Sequence, residues 1–205
     1  INFKNIKWVP DLKKINTLPS IFLANEFFDS IPIKQFFKSD NVWFEKFVHT
    51  SNENKLSFFN KKVNIKTIEK KINLKLSKKH NFIEYSPLGF KYLKDIFKFI
   101  KKNDGGLLVV DYGYFSEKMK DTLQAIYKKK YSQVLENIGK SDITYNINFF
   151  FIKKIVQNFQ ELDVSYTTQG KFLTKLGIQQ RAEIISKNKS FSQKADIFYR
   201  LKRLI

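Results

Sequence analysis

Two short apolar runs constrain the fold of this chain most. Residues 21–24 (IFLA) and 107–110 (LLVV) show no polar alternation, which is typical of strands covered on both faces inside a parallel sheet. The first run ends in Asn25-Glu26 and the second in Asp111. Because ligands of open α/β sheets bind beyond the carboxyl ends of the strands, we expect a site where these two strands end.

The rest of the pattern predicts an antiparallel meander and a helical C-terminal part. Strands at 33–37, 42–48 and 56–59 are separated by turn-prone polar residues. Residues 60–81 are rich in Lys and Asn and predict no defined element. The other expected elements are a strand at 6–8, the strand 21–25, a strand at 82–85, a helix from Ser86-Pro87 to Asp104, the strand 107–111, a helical face of Phe149, Ile152, Val156 and Phe159, a short helix at 169–176 closed by Gly177, and an amphipathic helix at 190–204.

We expect a single domain over residues 1–205, since a chain of this length can bury a sizeable core. The sheet core is expected in 1–32 and 82–113. The meander and the segment after it form an insertion at 33–81. The remaining part, 114–205, is expected to be mainly helical.

Composition narrows the classes of function. The net charge is +19, but Arg occurs only at 181, 200 and 203, whereas readers of bases and phosphates favour the Arg fork. We therefore expect no specific nucleic-acid partner. No apolar run approaches the ~20 residues of a membrane span. With no Cys, and with His49 and His80 outside any metal-ligand spacing, we expect no metal site.

The polar residues at the two strand ends form two candidate clusters, one of Asn25, Glu26 and Asp29 and one of Asp111-Tyr112-Gly113. Each residue also has a purely structural interpretation, because Asn caps helices and turns and Gly serves turns. Two such clusters on adjacent strands favour a pocket.

The cluster at Asn25 carries a resemblance to a known family. Residues 24–32 read ANEFFDSIP, which resembles the ANE(F/Y)FDALP segment of the MidA family of class I methyltransferase-like proteins. Further motifs follow in the family's order over residues 5–181. They are E-x-S-P at 84–87, GG-apolar-DYG ending at Gly113, DTLQA at 121–125, G-x-x-D-I-T at 139–144, TQGxFL at 168–173 and LGI at 176–178.

The resemblance implies an α/β fold, with an incomplete Rossmann-like class I methyltransferase sheet that uses S-adenosylmethionine (SAM). In that frame 21–25 is the fourth strand and 107–111 the fifth. The family's glycine-rich SAM motif lies upstream of the ANEFFD segment, and residues 1–21 contain no glycine. We therefore expect this chain to correspond to the C-terminal half or more of a methyltransferase, without the main SAM motif and inactive alone.

The same resemblance implies roles for the strand-end residues. Carboxylates hold a guanidinium bidentately and favour its developing charge. We therefore expect Glu26, Asp29 and Asp111 to be catalytic residues, with Asn25 and Glu26 also contacting SAM. The matched motifs contain four further residues that we expect to bind substrate: Tyr112, Gln124, Asp142 and Gln169.

The implied activity is methylation of an arginine on an NADH dehydrogenase (complex I) subunit, in the bacterial cytoplasm or the mitochondrial matrix. An exposed sheet edge would also favour a homo-oligomer. One alternative is a non-catalytic respiratory-complex assembly protein that binds its partner through the Phe-rich meander 33–59. Another is a basic domain that binds RNA or a membrane surface.

Overall fold

The structure is a computed structural model that describes residues 6–15, 17–53, 55–159 and 161–205. Of the expected sheet-core segment 1–32, residues 1–5 and 16 lie outside this description. The chain divides into two compact units, one ending at Leu162 and one spanning Asp163–Ile205.

The first unit contains most of the secondary structure. Its elements in chain order are β1 (Ser20–Asn25), β2 (Lys34–Ser39), β3 (Val42–Thr50), β4 (Leu56–Lys62), α1 (Ile65–Ile72), β5 (Phe82–Tyr85), α2 (Pro87–Asn103), β6 (Gly105–Val110), β7 (Gly113–Tyr114), β8 (Gln124–Tyr127), β9 (Lys130–Ser132), β10 (Asp142–Thr144), β11 (Ile147–Asn148) and α3 (Phe149–Val156). The second unit contains α4 (Gln169–Lys175), α5 (Ile178–Ser186) and α6 (Phe191–Leu204).

The two apolar runs pair as parallel strands, as the sequence predicts. β1 pairs with β6 from Ser20 opposite Gly105 to Asn25 opposite Val110, so both strands end at the same edge. Gly105 permits this pairing, because its φ is +128° and a Cβ there would lie 1.9 Å from the Ser20 carbonyl oxygen.

The same two strands correct the expectation of burial on both faces. One face is covered by α2, where Phe22 packs edge-to-face on Phe99 with ring centroids 5.3 Å apart. On the other face Ile21 is 79% exposed and Leu23 is 74% exposed. Side chains alternate across a strand, so the apolar run here reflects one buried and one open face.

The meander is a four-stranded antiparallel sheet in the order β4-β3-β2-β5. The first three strands along the chain confirm the prediction, and each of them ends two or three residues later than expected. β5, which the sequence grouped with the parallel sheet, instead pairs with β2, and Phe36 lies opposite Ile83 at the centre of the core. Its four-residue sequence carries no signal of which sheet it joins.

A helix replaces the expected undefined segment at 60–81. α1 begins after Asn64, whose side chain accepts a hydrogen bond from the Lys66 amide, as N-cap residues do. Ile65 and Ile72 are buried, which is the i, i+7 spacing of one helix face. The surrounding Lys and Asn residues concealed this short pattern.

Two further expectations are wrong. Residues 6–8 form no strand, and Trp8 is 91% exposed; the only regular element before β1 in the described part is a 3-10 turn at Leu12–Lys14. The segment 113–148 carries strands instead of the expected helix, arranged as the sheet β10-β8-β9 and the parallel pair β11-β7. Strands of two to four residues are too short to show a period in the sequence.

The predicted C-terminal helices are confirmed. In α3, Ile152 and Val156 are buried, and Phe149 and Phe159 pack partly against the core. In the second unit, Thr168 caps α4, Gly177 (φ +83°) separates α4 from α5, and Ser190 forms a capping box with Gln193 at the start of α6. No helix in the described ranges has the length and apolar content required to span a membrane.

Candidate functional site

The turn after β1 lies at the common carboxyl edge of the parallel pair. The Glu26 amide donates to the Val110 carbonyl at 2.9 Å and so extends the strand ladder by one bond. Glu26 itself has φ +44°, a conformation that costs a non-glycine residue of order 1 kcal/mol. The chain then turns inward, burying Phe28 and Asp29, which are 2% and 6% exposed.

Asp111 holds this turn in place. Its carboxylate accepts three backbone hydrogen bonds, from the amides of Phe28 at 3.0 Å, Asp29 at 3.3 Å and Tyr112 at 2.8 Å. The end of β6 is thereby tied to the turn after β1. Asp111 thus has a clear structural role in addition to its predicted catalytic one.

Four carboxylates gather at this edge, and we call Glu26, Asp29, Asp111 and Asp142 the acidic group. Burial, followed by the charges of Glu26 and Asp142, raises the pKa of Asp29. Burial and the charge of Asp29 raise the pKa of Asp111. None of the ion pairs within the described ranges includes a member of this group. The acidic group therefore has no basic side chain paired with it among the described residues.

The segment 142–148 completes the edge. The Tyr145 amide donates to the Asp29 carbonyl at 3.2 Å, and the Ile147 amide donates to the Tyr112 carbonyl at 2.8 Å. Tyr145 is buried, and burial together with the nearby charges of Asp111 and Glu84 raises its pKa. Tyr145 therefore stays a neutral phenol beside the acidic group.

The structure brings most of the predicted site residues together. Asn25 ends β1 and is exposed, and Tyr112, 63% exposed, follows Asp111. Gln124 on β8 donates to the Thr144 hydroxyl at 3.2 Å on the strand that begins with Asp142. Gln169 opens α4 in the second unit. The functional roles assigned to these residues stay predictions.

Gly113 has a packing role. A Cβ at this position would lie 2.3 Å from the Ile147 carbonyl oxygen and 2.6 Å from the Phe149 ring. Only glycine lets β7 approach β11 this closely. The glycine of the Asp-Tyr-Gly motif thus serves the parallel pairing of β7 with β11 that positions the segment 142–148.

The sequence analysis missed a buried polar network behind the acidic group. Glu84, 6% exposed, accepts hydrogen bonds from Gln35 at 2.6 Å and from both the amide and the hydroxyl of Thr122. Burial raises the pKa of Glu84 despite these bonds. The motifs at 84–87 and 121–125 contain Glu84 and Thr122, but sequence alone did not show that these two residues meet each other and Gln35.

The side chains at the end of β1 include hydrogen-bond acceptors of the kind that could contact SAM. Asn25 and Glu26 present an amide and a carboxylate at an open strand end, and such acceptors suit the ammonium and hydroxyl groups of SAM. Among the described residues, no three His, Asp or Glu side chains are placed to hold a metal ion.

The chain is similar to known proteins over most of its length. Residues 2–168 match the sequence model of a family described as "Putative S-adenosyl-L-methionine-dependent methyltransferase". The chain is 28% identical over 202 residues to the protein arginine methyltransferase NDUFAF7, mitochondrial, of Danio rerio, covering 98% of this chain and 47% of that protein. It is 27% identical to the protein of the same name from Rattus norvegicus, covering 88% and 41%. The chain thus spans less than half the length of these curated relatives.

Two solved structures share the fold. A protein from Burkholderia thailandensis solved with S-adenosyl-homocysteine superposes with a TM-score of 0.72 at 17% identity, covering 97% of this chain and 52% of that one. A native structure of an uncharacterized protein from the same organism gives a TM-score of 0.73 at 17% identity, covering 95% and 53%. These likenesses confirm the predicted α/β methyltransferase-like fold. Together with the family match over most of the chain, they lead to one assignment: the chain belongs to the family of S-adenosyl-L-methionine-dependent methyltransferases that its residues 2–168 match.

Proposed function

We propose that this chain is the acceptor-binding part of a SAM-dependent protein arginine methyltransferase. The observation that carries the proposal is the acidic group, which lacks a basic partner in the described part of a chain with 38 Lys and Arg residues. A guanidinium is the cation that carboxylates bind best with paired hydrogen bonds. The names of the relatives support the choice of arginine.

The residues divide into two roles in this proposal. Asp111, with its oxygens engaged by three amides, holds the turn. Glu26, Asp29 and Asp142 hold the arginine side chain and direct one of its nitrogens outward from the strand edge. The raised pKa of Asp29 makes its carboxylate a stronger proton acceptor than an ordinary Asp, which suits removal of a proton from the guanidinium.

SAM, when bound, supplies an electrophilic methyl group. In the proposal Asn25 and Glu26 contact it from the end of β1. Tyr112 and Gln124 line the substrate side, and Gln169 is a further candidate for substrate binding. The chain spans only part of its relatives, so SAM binding by this chain is itself part of what the experiment tests.

The substrate we propose is an arginine on a respiratory complex I subunit, as the family resemblance implies. The proposed location is the mitochondrial matrix, in line with the names of the relatives, with the bacterial cytoplasm as the other option. A homo-oligomer formed through an exposed sheet edge remains part of the proposal.

The test is methyl transfer from labelled SAM to isolated complex I subunits, with methylarginine identified by mass spectrometry. It compares the chain alone with the chain extended upstream through the glycine-rich segment of its family. We expect activity only in the extended protein. Glu26→Gln and Asp29→Asn should abolish it, and Glu53→Gln, which changes an exposed acid in the β3–β4 turn, should not. Full activity in Glu26→Gln and Asp29→Asn would refute the acceptor site, and methylation of lysine would refute the arginine assignment.

A non-catalytic assembly protein is the second candidate, and one observation favours it. The outer part of the β3–β4 hairpin exposes Val48 at 50%, Phe58 at 43% and Phe59 at 43%. Lys46 lies over the Phe58 ring at 5.1 Å. Solvent-facing Phe side chains beside Lys suit contact with an acidic, partly apolar protein surface. An extended protein that binds complex I subunits without methylating them would favour this candidate.

A further inference from the structure

Two sequence motifs meet in the structure through residues that have no role in the proposed chemistry. Glu84 belongs to the motif at 84–87, and Asp121 and Thr122 belong to the motif at 121–125. Gln35 of β2 joins them, because its side-chain amide donates to Glu84 at 2.6 Å and to Asp121 at 2.7 Å. We call these four residues the Glu84 junction.

The Glu84 junction connects the meander sheet to the segment 142–148. The Thr122 hydroxyl donates to Glu84 and accepts a hydrogen bond from the Asn146 amide at 2.9 Å. The neighbouring Tyr145 amide donates to the Asp29 carbonyl at 3.2 Å. A continuous series of hydrogen bonds therefore runs from β5 to the turn that holds the acidic group.

We propose that Glu84, acting through Thr122, is a positioning residue that sets the segment 142–148 against the acidic group. It does not contact the acidic group itself. Its effect is to place Tyr145 and Asp142 beside Asp29, so that the carboxylates face one cation together. The effect on arginine binding rests on the proposed function. The positioning of the segment 142–148 by Glu84 can be tested independently of that function.

The composition of the junction supports positioning over simple packing. A buried carboxylate is costly, and an apolar residue of similar size would stabilise the core as well or better. Glu84 offers acceptors for all three donors that reach it, while Oε1 of Gln35 is buried without a hydrogen-bond partner. Several directional bonds to one buried carboxylate specify the arrangement of the elements that it joins. Geometry of this kind is what a site that must hold several carboxylates at fixed distances requires.

The first test measures amide hydrogen exchange by NMR in the intact chain. Thr122→Val keeps the size of the side chain and removes the hydroxyl, and Thr122→Ser restores it. Glu84→Gln leaves one side-chain oxygen for three donors. The control is Glu45→Gln, because Glu45 is also 6% exposed in the same sheet but pairs with Lys34 and has no bond to Thr122.

We expect the amides of Tyr145 and Ile147 to exchange roughly tenfold faster in Thr122→Val, the effect of losing about one hydrogen bond. Glu84→Gln should give a smaller increase, and Thr122→Ser and Glu45→Gln should give none at these two amides. Equal exchange at Tyr145 in Thr122→Val and the wild type would overturn the positioning role. An increase in Glu45→Gln matching that in Glu84→Gln would also overturn it, because the effect would then be general destabilisation.

The second test measures the site itself. Asp142 contributes to the raised pKa of Asp29, after burial and Glu26, so detaching the segment should lower the pKa of the Asp29 carboxyl in a carbon-13 NMR titration of Thr122→Val. Binding of N-acetylarginine methylamide, measured in the same samples, should weaken severalfold in Thr122→Val and recover in Thr122→Ser. An unchanged Asp29 titration in Thr122→Val would refute the inference. If the wild-type chain binds no arginine probe while the exchange and titration results hold, the proposed function fails and the positioning inference stands.

Discussion

Removing the Asp111 side chain should destabilise the first unit, and the size of the loss can be estimated from the backbone hydrogen bonds that its carboxylate accepts. In Asp111→Ala, the buried amides of Phe28 and Asp29 lose their acceptor. Leaving a buried donor unsatisfied costs about 1–3 kcal/mol, so for two donors we expect a loss of about 2–6 kcal/mol in the free energy of unfolding. The third donor, the Tyr112 amide, belongs to an exposed residue, where water replaces the bond at little cost. The assay is urea unfolding followed by circular dichroism.

Two companion variants make this measurement decisive. In Asp111→Asn, the amide oxygen can still accept from Phe28 and Asp29, and the charge that burial disfavours is removed, so the loss should be well below that of Asp111→Ala. Asp142→Asn changes an exposed acid of the same group and should change stability by less than about 0.5 kcal/mol. If Asp111→Ala were no more destabilising than Asp142→Asn, the interpretation of Asp111 as the anchor of the turn would be wrong.

Three further predictions concern the pH dependence, the glycine and the open face. Because the folded-state pKa of Asp29 is raised, the folded chain holds this proton more tightly than the unfolded chain, so stability falls as pH rises from the ordinary Asp pKa through the raised one. Asp29→Asn should remove this fall and increase stability at pH 7, as measured by urea unfolding at several pH values. An unchanged pH profile in Asp29→Asn would contradict this prediction. Gly113→Ala, which places a Cβ 2.3 Å from the Ile147 carbonyl oxygen, should lower the free energy of unfolding by about 1–3 kcal/mol. A thermal unfolding midpoint equal to that of the wild type would contradict the close approach of β7 to β11. Leu23→Ser on the open face should cost less than about 0.5 kcal/mol, whereas Phe36→Ala in the core should cost about 3–5 kcal/mol; equal losses would show that the open face is covered.

The sequence predicted the strands that position the site because their signal is local. The apolar runs at 21–24 and 107–110 are long enough to identify as strands, and their polar ends identify the edge at which they meet. The covering of each face is a tertiary property, so the exposure of Ile21 could not be read from the same run. The short strands in 113–148 were not predicted, because two to four residues are too few to show a strand pattern in the sequence.

For the site, the sequence identified residues but not the bonds between them. Glu26, Asp29 and Asp111 were identified from their places at strand ends, and the structure places their charges together. The amides that engage Asp111, and the approach of Thr122 to Glu84, join residues 82 and 38 positions apart in the chain. No local pattern reports such contacts, which is why the anchoring role of Asp111 and the Glu84 junction required the structure.

The electrostatics of the acidic group argue that stability alone did not select it. Asp29, Asp111 and Glu84 all have a pKa raised first by burial, so ionising each of them at neutral pH weakens the folded state. The chain carries 38 basic residues against 19 acidic ones, and a single Lys placed at the strand edge would relieve this repulsion. Within the described ranges the ion pairs lie elsewhere, for example at Lys34–Glu45 and Lys46–Asp121. Unpaired carboxylates at this edge of a strongly basic chain lower the stability of the folded state but retain affinity for a cation that comes from outside, and the arginine that we propose as the substrate is such a cation.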